Sequence, residues 1–177
     1  MEEAARQLVE SLSAAGAPPS VIGVEFVGSP DGLGQGAAPA AAIASLLPEV
    51  EAAMHDWPAA EARITWDYRA LAQGRAHKLF LCTVFRHVPP DLGEDATAAL
   101  RLAIRRLDLL AVELSHATGL NIIDLDRTLA HIGGLKLRTD YRLTGAAGTE
   151  AAARAISATL LAAGLDGLWP PDGIGGA

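Results

Sequence analysis

The chain has 177 residues, half of them hydrophobic, which is enough for one domain with its own core. Its net charge of −7 argues against a nucleic-acid partner, which needs a basic surface, and against an anionic membrane surface as the main partner. A single cysteine, Cys82, excludes an internal disulfide and a multi-cysteine metal site, and its apolar neighbours favour a buried structural thiol over a nucleophile.

The amino-terminal sequence and the hydropathy pattern indicate where in the cell the protein is expected. The stretch MEEAARQLVE is acidic and polar, unlike a secretory signal, and no stretch reaches the roughly 20 apolar residues of a spanning helix. We therefore expect a cytoplasmic protein without a membrane span. The high alanine content with few lysines is typical of a GC-rich bacterial gene.

The first part of the chain predicts a helix, a strand and a loop. Leu8 and Leu12 lie four residues apart and predict a short helix over 2–15. The apolar, β-branched stretch VIGVEFVG predicts a buried strand over 21–28. The glycine-rich stretch SPDGLGQGAAP, 29–39, predicts a loop directly after that strand.

The middle of the chain predicts two helices and a strand. Apolar residues at helical spacing predict a helix over 40–54, with a kink or restart at Pro48. We expect a second helix within 55–76, with Thr65 near its start. The stretch HKLFLCTVFRHV, 77–88, is the clearest strand in the sequence.

The best-defined helix covers 96–118, capped by Asp95 and ended by Gly119. NIIDLD, 121–126, predicts a short strand that ends in two acidic residues, and 146–163 predicts a last helix. One apolar stripe on the 96–118 helix consists of Leu100, Ile104, Leu107, Leu110, Ala111 and Leu114.

Apolar strands that alternate with amphipathic helices are typical of a parallel sheet covered on both faces. The sequence therefore predicts a doubly wound, three-layer α/β/α fold whose mainly parallel sheet contains 21–27, 78–85 and 121–125. We expect one domain over 1–168 and a flexible tail over 169–177. Ligands of such folds bind beyond the carboxyl ends of the strands.

The order of elements from about 77 to 163 resembles the back half of the SGNH/GDSL hydrolases. In that family a strand like KLFLCTVF leads into a proline-containing loop, here RHVPPD, and then a long helix. A strand with an acid at its end follows, here NIIDLD, and then Asp-x-x-His at the start of the last helix. That place holds Asp140, Tyr141, Arg142 and Leu143. The resemblance implies a flavodoxin-like fold and serine ester hydrolysis.

This chain departs from the family pattern at most of the catalytic positions. The family nucleophile lies in Gly-Asp-Ser, and the nearest match is VGSPDG, which offers Ser29. No Gly-x-Asn-Asp segment is present, since Asn121 is the only asparagine. Leu143 replaces the histidine of Asp-x-x-His, so only Asp140 matches in place.

A rearranged catalytic set remains open. A serine nucleophile needs a base within hydrogen-bond reach and a third group that orients the base. Ser29 follows a predicted strand, His87 ends another at the same predicted edge, and Asp140 could orient the imidazole. The alternatives are a turn serine and a plain loop histidine.

Two groups of residues could bind an anion. Backbone amides of the loop 28–36, with Gly28, Asp31 and Gly32, could bind phosphate, although the loop lacks the known nucleotide-binding motifs and could be a simple connection. The second group surrounds the Asp-x-x-His position and could instead be a salt-bridged loop. It consists of Arg86, His87, Arg138, Asp140, Tyr141 and Arg142.

Metal and cofactor signals are weak. Asp124 and Asp126 end a strand and could bind Mg²⁺ or orient a base, but capping of the next turn is favoured. No pair of histidines has the spacing of a metal-binding helix, so no metal and no other cofactor is predicted.

The sequence therefore predicts an SGNH-hydrolase-like protein that lacks most of the usual catalytic residues, a pseudoenzyme. It would be a binding or accessory protein for a small-molecule ligand, either a carbohydrate or an acyl ester. One alternative is an active ester hydrolase that uses Ser29, His87 and Asp140. Another is an anion- or nucleotide-binding flavodoxin-like module. Association into a homo-oligomer is left open.

Overall fold

The computed structural model describes residues 41–73 and 78–163 and, nearer the amino terminus, residues 6, 9, 10, 13 and 14. Between 41 and 163 the strands are β1 (Ala41–Ser45), β2 (Lys78–Cys82) and β3 (Asn121–Ile123). The helices are α1 (Val50–His55), α2 (Trp57–Ala72), α3 (Glu94–Thr118), α4 (Leu125–Ala130), α5 (Gly134–Leu137) and α6 (Ala146–Ala162). A single 3-10 turn, Leu47–Glu49, precedes α1.

The described strands form a parallel sheet with β2 at its centre. The strand order is β1-β2-β3, and Phe80 of β2 pairs with Asn121 of β3. Successive side chains of a strand point to opposite faces. Leu79 and Leu81 accordingly join one core cluster, whereas Phe80 and Cys82 join the other. Helices therefore cover both faces, which confirms the predicted three-layer α/β/α fold with a parallel sheet.

The first helical layer consists of α1, α2 and α3, and α3 carries most of its core. Every residue of the predicted apolar stripe of α3 is buried. Gly119 follows the helix with φ of 77°, so the predicted glycine stop is confirmed. The predicted Asp95 cap is wrong, because α3 begins at Glu94 behind Gly93. Asp95 lies in the first turn instead, where the helix dipole favours a negative charge.

The second helical layer consists of α4, α5 and α6. Leu129 of α4 and Leu160 of α6 belong to the core cluster that contains Phe80 and Ile123. The predicted last helix is confirmed within one residue. The predicted strand before it is shorter than expected, because β3 ends at Ile123 and the next residue already caps α4.

The helix predicted over 40–54 is wrong in its first half. Residues Ala41–Ser45 form β1 and pair with β2, so sheet pairing overrides the helical spacing of the apolar residues. The restart predicted at Pro48 is confirmed, since the proline lies in the 3-10 turn and helical structure continues into α1. Proline fits there because the first residues of a helical turn donate no internal hydrogen bond.

Two other boundaries differ from the prediction. The helix expected to start near Thr65 begins at Trp57, because Asp56 accepts a hydrogen bond from the Ala59 N–H (3.2 Å) and caps α2. The strand expected to reach residue 85 ends at Cys82. Beyond it, side chains of neighbouring helices bind backbone N–H groups in place of another strand.

Several predicted segments lie outside the described residues. They are the strand 21–27, the loop 29–39 and the tail 169–177. Within the predicted helix 2–15, the five described positions are helical. None of the described helices combines the length and the apolar character needed to cross a membrane.

Replacing Leu107 with alanine should lower the free energy of unfolding by about 2–5 kcal/mol, as for other fully buried leucines. Leu107 is completely inaccessible to solvent in the middle of α3. Urea unfolding measures the change, with Leu92→Ala as the control, because Leu92 is exposed and its truncation should change stability by less than about 0.5 kcal/mol. A loss below about 1 kcal/mol at Leu107 would contradict the packing described for this layer.

Candidate functional site

The segment 83–89 follows the carboxyl end of β2 without regular secondary structure, and hydrogen bonds fix its first residues. The Val84 N–H donates to the Asp108 carboxylate (2.8 Å), and the Arg86 N–H donates to the Asp126 carboxylate (3.0 Å). Two acidic side chains thus satisfy N–H groups that no strand pairs. They hold the segment in position at the edge where ligands of parallel α/β folds bind.

Asp124 and Thr83 link the ends of β2 and β3. Asp124 accepts a hydrogen bond from the Arg127 N–H (2.8 Å) and caps α4. The Thr83 hydroxyl donates to Asp124 (3.5 Å) and accepts from the Asp126 N–H (3.3 Å). The favoured interpretation of Asp124 as a cap is therefore confirmed.

Asp126 binds the guanidinium group of Arg86 as well as its backbone N–H. The Arg86 Nε lies 2.9 Å from Oδ1 and 2.7 Å from Oδ2 of Asp126. The rest of the side chain remains largely exposed, so the remaining guanidinium N–H groups can reach a ligand.

An open cleft of about 550 Å³ lies beside this segment. His87 forms part of its wall and packs on Gly134: a Cβ atom added at residue 134 would lie 2.2 Å from the imidazole ring. The Phe85 and His87 rings stack with centroids 6.0 Å apart. The lining residues are Phe85, Arg86, His87, Val88, Arg101, Ala130, Gly133 and Gly134.

Among the described residues that line the cleft, two are arginines and one is a histidine. They are Arg86, Arg101 and His87. Arg101 projects from α3, and no carboxylate among the described residues lies within ion-pair distance of it. Within the described part of the chain, the wall therefore presents two guanidinium groups: Arg86 is paired with Asp126, whereas Arg101 has no carboxylate partner. This suits an anionic or strongly polar ligand.

The loop 138–143 carries the predicted Asp-x-x-His position. The Arg142 N–H donates to Asp140 Oδ1 (2.9 Å), and Arg142 Nε lies 3.0 Å and 3.1 Å from the two carboxylate oxygens. These hydrogen bonds lower the pKa of Asp140, and the nearby His87 lowers it further. Asp140 is therefore an ionised carboxylate paired mainly with Arg142 at neutral pH.

Leu143 fills the place where the resemblance would put a histidine. Its side chain packs against the core cluster of the second layer, whereas Tyr141 packs against that of the first layer. The loop thus crosses the edge of the sheet. Leu143 has φ of 52° and Arg138 has φ of 49°, values that are uncommon for residues other than glycine. Residue 143 is therefore an apolar side chain packed on the core, in a strained backbone conformation.

The structure brings some of the predicted site residues together. His87 lies close enough to Asp140 to affect the pKa of its carboxyl group, and Arg142 binds Asp140 directly. Tyr141 lies beside Arg142, whose guanidinium carbon is 5.5 Å from the ring centroid. Arg86 faces the cleft with His87. The predicted residues Gly28, Ser29, Asp31 and Gly32 lie outside the described residues.

The sequence-based prediction missed Asp108 and Arg101. The pKa of Asp108 is raised to about 7, mainly by burial; the hydrogen bond from the Val84 N–H offsets part of this rise, and the nearby carboxylates of Asp126 and Asp124 add to it. A sequence signal existed, because Asp108 lies four residues after Ile104 and three before Ala111, both buried. An acid beside the buried stripe of a helix needs a polar partner, and the end of β2 supplies it.

Cys82 is a structural residue of the core. Cys82 is buried, and burial raises the pKa of its thiol to about 12, so the interpretation as a structural thiol is confirmed. Within 41–73 and 78–163, no group of three or more histidine, cysteine or acidic residues could hold a metal ion.

The raised pKa of Asp108 predicts that the free energy of unfolding depends on pH. Because its folded-state pKa is raised to about 7 from an ordinary value of about 4, the folded protein keeps this proton to higher pH than the unfolded chain. The resulting stabilisation is full below about pH 4 and is lost as the pH rises through about 7. Relative to Asp108→Asn, the free energy of unfolding of the natural chain should fall by up to about 4 kcal/mol over this range.

Urea unfolding of both proteins at intervals from pH 4 to pH 8 measures this difference. The amide introduced by Asp108→Asn keeps an oxygen that can accept from the Val84 N–H but does not titrate, so only the pH dependence should change. Parallel stability curves for the two proteins would contradict the prediction.

The arrangement can bind a ligand that carries a negative or strongly polar group, and the His87 imidazole lies close enough to influence the Asp140 carboxylate. No family model, curated protein or solved structure matches this chain. The chemistry of the cleft therefore follows from the geometry of its own residues.

Proposed function

We propose that this chain is an SGNH-hydrolase-like binding protein that holds a carbohydrate or acyl-ester ligand in the cleft beyond β2 without hydrolysing it. The observation that carries the proposal is the packing of the Leu143 side chain. This side chain packs against the core at the position where the hydrolases have their histidine base. The Asp140 carboxylate of the same motif accepts hydrogen bonds from Arg142. Proton removal by a positioned base typically contributes about 10²–10⁴-fold to such reactions, so its loss leaves binding as the function.

The cleft wall supports a ligand with an acidic or carbonyl group. Arg86 and Arg101 supply guanidinium donors, and these form strong, directional hydrogen bonds with carboxylates. The His87 imidazole can donate or accept a hydrogen bond beside them. A carbohydrate that carries a carboxylate matches this combination better than a neutral sugar does.

Isothermal titration calorimetry with glucuronate and glucose tests the binding. Glucuronate should bind more tightly than glucose, and Arg101→Ala should weaken its binding by about tenfold or more, since a hydrogen bond to a charged group contributes about 1.5–3 kcal/mol. Arg69→Ala is the control, because it removes an exposed positive charge from α2, away from the cleft lining.

A second variant probes the position of His87 without removing a charge. Alanine at Gly134 would place a Cβ atom against the imidazole and move it, so glucuronate binding should weaken. Gly93→Ala is its control, because nothing lies within 4 Å of the added Cβ. Glucuronate affinities that are unchanged in Arg101→Ala and Gly134→Ala would place any binding elsewhere and contradict the proposal.

One observation favours an active ester hydrolase as a second candidate. His87 lies near Asp140, and these two residues could serve as base and orienting acid for Ser29. Under the leading proposal, turnover of p-nitrophenyl acetate should be equal in the natural chain and in Ser29→Ala. Turnover that disappears in both Ser29→Ala and His87→Ala would overturn the binding-protein proposal and establish the second candidate.

A further inference from the structure

Exposed apolar side chains are unevenly distributed between the two helical layers. Of the seven large hydrophobic side chains that are exposed among the described residues, five lie on α1, α2 and α3. On α4, α5 and α6, none of the large hydrophobic side chains whose burial the structure describes is exposed. The five are Met54, Trp66, Leu102, Leu109 and Val112, with Trp66 76% and Leu109 56% exposed. Contiguous exposed apolar residues mark a contact surface, and three of the five lie on the single helix α3.

The three exposed residues of α3 form a stripe. Leu102, Leu109 and Val112 repeat at intervals of seven and three residues and therefore share one side of the helix. The buried residues of α3, such as Leu107 and Leu114, point toward the sheet on the other side. The outer stripe thus has helical periodicity but no partner among the described residues.

The charges next to this stripe have a definite pattern. Arg105 lies four residues before Leu109 and Glu113 lies four residues after it, so each is about one turn away. The two are about 12 Å apart along the helix and are too distant to pair with each other. Neither forms an ion pair with any carboxylate or cation that the structure describes.

We propose that the outer stripe of α3 binds a second copy of this chain, with the two α3 helices antiparallel about a two-fold axis near Leu109. In this arrangement Leu109 meets Leu109 of the other copy, and Arg105 of each copy lies level with Glu113 of the other. The pairing is self-complementary, as a two-fold interface requires. Parallel helices would place like charges together, so the charge pattern selects the antiparallel arrangement.

Sedimentation equilibrium of the full chain tests the proposal. The natural chain should be a dimer, and Leu109→Lys should be a monomer at the same concentrations, because it places two ammonium groups in the apolar centre. The control is Leu92→Lys, which changes an exposed leucine in the loop before α3 and should leave the dimer intact. Circular dichroism with an unchanged helical signal at the temperature of the experiment establishes that Leu109→Lys still folds, whereas its thermal midpoint should fall because dimerisation no longer stabilises the folded state.

Charge reversals test the register. Arg105→Glu alone or Glu113→Arg alone should weaken the dimer by about tenfold, because each variant loses two ion pairs and gains two like-charge contacts. The double variant Arg105→Glu/Glu113→Arg should recover the natural dissociation constant. An equimolar mixture of the two single variants should form mixed dimers as stable as the natural dimer.

Other occupants of this surface would give different results. A natural chain that is monomeric overturns the proposal, and a large loss of stability in Leu109→Lys would then show that another part of the chain covers α3. A dimer that persists in Leu109→Lys also overturns it, because association would use a different surface. Failure of the double variant to recover would contradict the antiparallel register.

Discussion

The geometry of the cleft depends on two carboxylates that bind backbone N–H groups just past the end of β2. Asp108 comes from α3 in the first helical layer and Asp126 from α4 in the second, and they hold Val84 and Arg86. A strand that leaves a parallel sheet exposes N–H groups with no strand partner, and buried donors must find acceptors. Satisfying them from both layers ties the strand exit to both cores, so the cleft wall keeps a defined shape.

The same arrangement has an electrostatic cost. Asp108, Asp124 and Asp126 lie near one another, and burial keeps water from screening Asp108. Arg86 offsets part of this repulsion through its pair with Asp126. Asp126 thus neutralises part of the positive charge that Arg86 brings to the cleft. Of the two arginines that line the cleft, Arg101 is more available to a ligand, because no described carboxylate pairs with it.

The sequence predicted the elements whose pattern is local and regular. The stripe of α3 and the glycine at residue 119 follow from helical periodicity and from glycine's tolerance of positive φ. β1 was missed, because an alanine-rich segment carries no strand signal and only pairing with β2 selects that conformation. Only part of the site was predicted, because tertiary contacts determine the rest of it. His87 and Asp140 were found from their places at element ends, whereas Asp108 was missed because its role depends on a tertiary contact with Val84.

The contact between His87 and Gly134 has a consequence for the evolution of this chain. The imidazole occupies the volume that any Cβ atom at residue 134 would need, so the two positions are sterically coupled. Glycine at 134 should be favoured among homologues that keep the histidine in this position, whereas those with a smaller residue at 87 can accept alanine there without displacing a ring. Covariation of these two sites across related genomes would therefore record selection on the cleft wall, independent of any ligand.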